Sequence, residues 1–131
     1  MRSRKEHIMA IVVPCFNEHE LIRDTNKKLM SLIRRLSNDN LISSSSYILY
    51  VDDGSNDESW TIIKDICSNE KNIKGMKLSR NFGHQNALLA GLSNVNNKCD
   101  FVISIDADLQ QDIEAIPKIS GMPLSKSSSF S

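Results

Sequence analysis

The strongest constraint on how this chain folds is an alternation. Short unbroken apolar runs, rich in β-branched residues, are each followed by a longer stretch whose apolar residues recur at helical spacing. Ile8 to Val13 (IMAIVV) reads as a strand covered on both faces, since a strand with one wet face would alternate apolar and polar residues. Leu21, Ile22, Leu29, Leu32, Ile33 and Leu36 then share one helical face, predicting an amphipathic helix from Glu18 to Leu36. Asn38 to Ser46 is polar, ends in Ser43 to Ser46, and is expected to be a solvated connection. Tyr47 to Val51 (YILYV) is the second strand. Ser55 and Glu58 match the S-x-x-E capping box, so a second helix is expected there, carrying Trp60, Ile63, Ile66 and Cys67 on one stripe and fraying near Asn69. Gly75 to Leu78 predicts a third strand, Gly83 to Val95 a third helix, and Phe101 to Ile105 a fourth strand. The order βαβαβαβ predicts the α/β class: a Rossmann-like parallel sheet with right-handed crossovers.

At 131 residues and 40% hydrophobic, the chain has room for one core. Residues 1–119 form one unit by this reading; Ile113 to Ile119 begins one more helix, and residues 120–131 are expected to be an unstructured tail, because GMPLSKSSSFS loses all apolar periodicity. Sixteen basic side chains balance sixteen acidic ones, so no net field favours nucleic acid or an anionic membrane. Arg2, Arg4 and Lys5 resemble a leader's basic start, but the apolar run behind them stops at Pro14. No stretch approaches the roughly 18 apolar residues of a membrane helix. Cys15, Cys67 and Cys99 are odd in number and form no C-x-x-C pair, which argues against disulfides or a structural zinc and for a reducing, cytoplasmic setting.

In an open parallel sheet, ligands bind at the carboxyl ends of the strands, where loops and helix N-termini expose backbone donors. Those ends carry Pro14-Cys15-Phe16-Asn17-Glu18, Asp52-Asp53-Gly54-Ser55, Ser79-Arg80-Asn81-Phe82-Gly83-His84 and Asp106-Ala107-Asp108-Leu109-Gln110. Neither G-x-G-x-x-G nor a P-loop is present, so phosphate needs another device. Asp106 and Asp108, two carboxylates at i and i+2 on an extended segment, point to one side and suit a hard cation such as Mg²⁺ or Mn²⁺ that takes phosphate oxygens as further ligands. Acidic pairs also occur at strand ends merely as helix caps, so both readings stand. Asp52 and Asp53 likewise either turn the chain and favour the next helix dipole, or offer a carboxylate to the imide N–H of a uracil. Phe16 is either plain core or a ring on which a base lies.

In order and spacing, Pro14-x-Phe16-Asn17-Glu18, Val51-Asp52-Asp53-Gly54-Ser55, Leu78-Ser79-Arg80-Asn81-Phe82-Gly83 and Asp106-Ala107-Asp108-Leu109-Gln110 resemble the family 2 glycosyltransferases. The segment SRNFGHQNALLAG is similar to the bactoprenol glucosyltransferase and dolichyl-phosphate mannose synthase branch. The resemblance covers residues 7 to 119 and implies a GT-A fold, a nucleotide-diphosphate sugar donor, a divalent metal (Mg²⁺ or Mn²⁺) and a polyprenyl phosphate acceptor. It implies that Pro14, Phe16, Glu18, Val51 and Asp53 surround the nucleoside, that Asp106 and Ala107 line the ribose and diphosphate, and that Asp108, with Gln110 and Asp106, holds the metal. Phe16 stands where the family often has Tyr, losing a hydroxyl and keeping the face. Arg80 is either a diphosphate neighbour or a surface residue, and His84 either a diphosphate contact or a solvated cap.

The implied reaction moves a hexose, from UDP-glucose on this reading, to a lipid phosphate at the cytoplasmic face of a membrane. The branch continues well past the D-x-D segment, so the chain is expected to be a truncated donor-binding part, inactive by itself and prone to associate. Two alternatives come from other classes: a non-catalytic nucleotide-binding remnant, and a haloacid- or receiver-type phosphotransfer domain. The latter wants its key aspartates on early strands, whereas this D-x-D follows the fourth.

Overall fold

Every apolar run becomes a strand of one sheet. The computed structural model describes residues 7–108. Within them the chain runs β1 (Met9–Cys15), α1 (His19–Asn38), β2 (Tyr47–Asp52), α2 (Ser59–Asn69), β3 (Ile73–Lys77), α3 (His84–Val95) and β4 (Phe101–Ser104). All residues of β1, β2 and β4 are buried, as continuous apolar strands require. The helix expected over Ile113 to Ile119, the tail from 120 and Gln110 lie outside the described residues.

The strands form one sheet in the order β3-β2-β1-β4, and every pairing is parallel. The chain therefore steps outward from β1 through β2 to β3, then crosses back to the far side of β1. Right-handed crossovers running in opposite directions put their helices on opposite faces. Accordingly Met9, Ile11 and Val13 pack with Ile22, Leu29 and Leu36 of α1 and Ile63 and Ile66 of α2. Ala10 and Val12 pack instead with Ala87, Leu88 and Val95 of α3. The period-two alternation of one strand thus feeds two cores. Gly91 lets α3 approach: a Cβ there would stand 2.6 Å from Val12 Cγ1 and 2.8 Å from Val51 Cγ2.

Two expectations need correction. The helix expected from a Ser55–Glu58 capping box begins only at Ser59, with Glu58 as N-cap and no side-chain cap bond. The Ser55 hydroxyl is engaged elsewhere, accepting from the Asn17 N–H at 2.9 Å. A tertiary partner has displaced the local one. The serine run is a connection exposed at Ser44 and Ser45, as expected, but its last residue is not solvated. Ser46 is fully buried and its hydroxyl accepts from the Met9 N–H at 2.9 Å, while the Asn72 amide donates to the carbonyls of Ser44 and Ser46. These serines close the lower end of the sheet, where small donor-acceptor side chains satisfy strand ends that have no ladder partner.

Candidate functional site

Strand order reverses between β1 and β4, and a crevice opens at such a switch point outside the strands' carboxyl ends. Pro14, Cys15, Phe16, Glu18, Asp53, Asn81, Gly83 and His84 line a cleft of about 200 Å³ there. Asp106 reaches the same place, its Oδ1 lying 3.4 Å from His84 Nε2. Two larger hollows, of about 430 and 480 Å³, sit at the opposite end among residues such as Asn97 and Asp100, or Lys71 and Lys98. The motif residues are not there.

The loops after β1 and β2 are stitched together. Asn17 takes the left-handed conformation, φ 52°, which Asn tolerates. Its side-chain oxygen accepts from Asn56 N–H at 2.8 Å, and its own N–H goes to Ser55 Oγ. The Glu18 N–H donates to Ser59 Oγ at 3.0 Å and the His19 N–H to Asp57 Oδ2 at 3.4 Å. So the orphan donors at the start of α1 are met from the next loop rather than by a cap of its own. Phe16 is held at the rim, 40% exposed, a ring available for stacking rather than core.

Asp53 is buried, and both its oxygens are occupied. Oδ1 accepts from the Phe82 N–H at 2.8 Å; Oδ2 accepts from the Gly83 N–H and the Asn81 side-chain amide at 3.2 Å each. It thereby ties the loop after β3, and with it the start of α3 and His84, to the end of β2. Asp52 is buried beside it, with Oδ2 accepting from the Ser55 N–H at 3.2 Å. The Val51 side chain packs beneath α3 in the core. Arg80 lies over the Phe82 ring, 4.0 Å from its centroid, a cation–π contact at the surface.

Asp106 and Asp108 do not continue the strand: β4 ends at Ser104 and the pair sits in a turn beyond it. Their separation of two still matters, because Ala107 between them is buried in the core while Asp106 is half-buried and Asp108 exposed. The Thr25 hydroxyl donates to the Ala107 carbonyl from α1. Thr25 carries no motif, and nothing in the sequence marks it; the contact joins positions 82 residues apart. Glu18 shares the field of this turn. Burial pushes its carboxyl above the usual range; the Phe16 N–H opposes this, Asp108 and Asp106 add to it, and His84 offsets part of it. Burial, together with Glu18 and Asp52, also pushes the Cys15 thiol well up, the direction that disfavours the nucleophilic thiolate.

Among the described residues no three His, Cys, Asp or Glu side chains are grouped to hold a metal ion. Two carboxylates with open solvent fit Mg²⁺ or Mn²⁺, which commonly bind through one or two carboxylates and complete their shell with water and substrate phosphate. Glu18 is raised mainly by burial, and a cation at the turn would offset the lesser share that Asp108 and Asp106 add. No described helix is long and apolar enough to cross a membrane.

Comparison with known proteins gives the family and the fold. A glycosyltransferase of Bacillus subtilis (strain 168), YkoT, is 47% identical over 114 residues, covering 87% of this chain and 34% of its own length. The undecaprenyl-phosphate 4-deoxy-4-formamido-L-arabinose transferase of Enterobacter sp. (strain 638) is 37% identical over 115 residues, covering 86% of this chain and 32% of its own. The chain thus spans about a third of the length of these relatives. Its fold matches the mannosyltransferase PcManGT from Pyrobaculum calidifontis, solved with GDP-Man and Mn²⁺, at TM-score 0.67 and 17% identity, covering 86% of this chain and 31% of that one. The family model for glycosyl transferase family 2 matches residues 10–121, and the chain belongs to that family, with the α/β GT-A-like fold.

Proposed function

We propose that the chain is the donor-binding part of a hexosyltransferase that takes a nucleotide-diphosphate sugar, UDP-glucose on the present reading, and whose acceptor is a polyprenyl phosphate. The observation that carries the proposal is the convergence, at one switch-point cleft, of Phe16, Glu18 and Asp53 with the Asp106–Asp108 turn. Relatives named as undecaprenyl-phosphate transferases support the acceptor class, and a fold neighbour holding GDP-Man and Mn²⁺ supports the donor class. Pro14, Phe16, Glu18 and Asp53 would surround the nucleoside, with the base on the Phe16 ring. Val51 and Ala107, whose side chains are core, would contribute backbone only. Arg80 would stand near the diphosphate.

Asp108 and Asp106, with Gln110, would hold Mg²⁺ or Mn²⁺, whose chemistry is to neutralise the departing nucleoside diphosphate. The lipid phosphate is already a competent nucleophile. One of its oxygens forms the new bond to the anomeric carbon from the side opposite the diphosphate, which leaves with the bonding electron pair, so the configuration inverts. The chain's own work is therefore positioning: no base is needed to remove a proton, and the cleft only has to hold the donor in line. Such an enzyme works at the cytoplasmic face of a membrane, which it would reach through residues other than those described.

Calorimetry tests the donor site. UDP or GDP is expected to bind the folded chain in millimolar Mn²⁺ and to lose affinity in chelator, and Asp108→Ala should erase that metal dependence. Absence of binding by both nucleotides, or equal binding in chelator, would refute the donor-site reading. With labelled UDP-glucose and undecaprenyl phosphate in detergent, this chain alone is expected to give no lipid-linked label above a heat-killed control. Label above it would show that the donor-binding part suffices for transfer.

A further inference from the structure

The D-A-D turn leaves the sheet before it does its work. The Ile105 N–H still bonds the Val12 carbonyl at 3.0 Å, and beyond it the backbone turns away from β1. Two things then hold the turn inward: the buried Ala107 methyl, and the bond from the Thr25 hydroxyl to the Ala107 carbonyl. Thr25 is itself 2% exposed and flanked on its helix by fully buried Ile22 and Leu29, so its place relative to the sheet is fixed by the core. Its neighbour Asn26 accepts from the Tyr50 hydroxyl at 2.8 Å, tying the same turn of α1 to β2. A helical Thr commonly turns its hydroxyl back onto its own helix's carbonyl four residues earlier. Here it reaches across to the other half of the fold.

We infer that Thr25 is a positioning residue for the metal site: by holding the Ala107 carbonyl, it fixes the turn so that Asp106 and Asp108 face the cleft. The inference rests on reading that turn as the metal site. With the central residue pinned by methyl and carbonyl, the flanking carboxylates lose the freedom to swing apart, and their geometry is set before a cation arrives. Partners one shell out from a metal commonly act this way, and their loss costs about 10- to 100-fold in affinity. Thr25→Val keeps the shape and removes the donor, leaving the Ala107 carbonyl buried without it. Thr25→Ser keeps the donor and gives up a methyl.

The test compares the 131-residue chain with these two variants by Mn²⁺ titration in the presence of UDP, read by electron paramagnetic resonance, and by amide hydrogen exchange across residues 105–108. Thr25→Val is expected to weaken Mn²⁺ binding about tenfold and to speed exchange of the turn by a similar factor, with β1 unchanged. Thr25→Ser should stay within about twofold of the unaltered chain on both measures. Unchanged exchange in Thr25→Val overturns the inference, and so does faster exchange with unchanged Mn²⁺ affinity. If the unaltered chain binds no Mn²⁺, the metal-site reading falls, and the exchange comparison still decides whether Thr25 holds the turn. Should Thr25→Val not fold, Thr25→Ala removes the same donor with less bulk and carries the comparison.

Discussion

Gly54 follows the two aspartates at the end of β2 with φ +71°, and a Cβ there would stand 2.3 Å from the Arg80 carbonyl carbon and 2.5 Å from the Asn81 nitrogen. The loop that Asp53 grips lies directly against this glycine, so Asp-Gly works as a unit: the carboxylate draws the backbone in and the missing side chain lets it come. Gly54→Ala should therefore lose left-handed backbone at about 1–2 kcal/mol and force the 80–81 backbone away at a further 1–3 kcal/mol or so. A melting temperature lower by roughly 10 °C or more is expected, with nucleotide affinity falling as the loop lifts. A change of only a degree or two would mean that the two loops are not in this contact. The motif DDG was legible in the sequence as a turn or as a carboxylate offered to a base. That Asp53 spends both oxygens on a loop 28 to 30 residues away was not, because two of its three partners are backbone N–H groups that every residue carries and the third, the Asn81 amide, is distant in sequence.

At the scale of elements, α1 and α2 begin side by side, joined by His19 Nδ1 and Asp57 Oδ2 at 2.7 Å. The hydrogen bond to Asp57 holds the exposed His19 above its ordinary value, against an opposing effect of desolvation. Burial pushes Asp57 up, but hydrogen bonds from Ser59 and His19 together outweigh it and hold that carboxyl well below its usual range. A histidine raised on folding contributes stability below its unfolded value near 6.5, lost as pH rises through the folded one. A lowered carboxylate contributes above its unfolded value near 3.8, lost as pH falls toward the folded one. Both contributions coexist between those unfolded values. The melting difference between the unaltered chain and His19→Gln should thus be largest near about pH 5 to 6, and smaller at about pH 8.5 and at about pH 3. A difference flat across that range would show that the pair does not link the helices in solution. The capping-box expectation failed at this same junction. Its residues were right for a cap, but Ser55 found Asn17 and Asp57 found His19, partners 38 residues off.

For the molecule as a whole, the described residues put α1 and α2 on one face of the sheet and α3 alone on the other. Phe16, Leu21, Phe82 and Leu89 are large apolar side chains left 38 to 58% exposed, and the zero net charge provides no repulsion between copies. Association at micromolar concentration is expected, visible as a mass above one chain in light scattering. A sharp monomer with a cooperative melt above about 55 °C would overturn that expectation, since it would place the chain among ordinary self-sufficient domains.

By itself the sequence determined the element order, the parallel α/β class and the strand ends as the place where a ligand is expected. All of these follow from local periodicity: continuous apolar runs demand two-sided cover, and helical repeats between them demand crossovers. Only the tertiary structure decided that β4 lies beside β1 rather than beside β3. That choice depends on which apolar faces cover one another across the whole chain, and it brings the Pro14–Glu18 loop next to the Asp106–Asp108 turn. The same packing decided that Thr25, a plain helix residue in the sequence, meets the carbonyl between the two aspartates, because a contact between positions 82 residues apart leaves no local pattern to read.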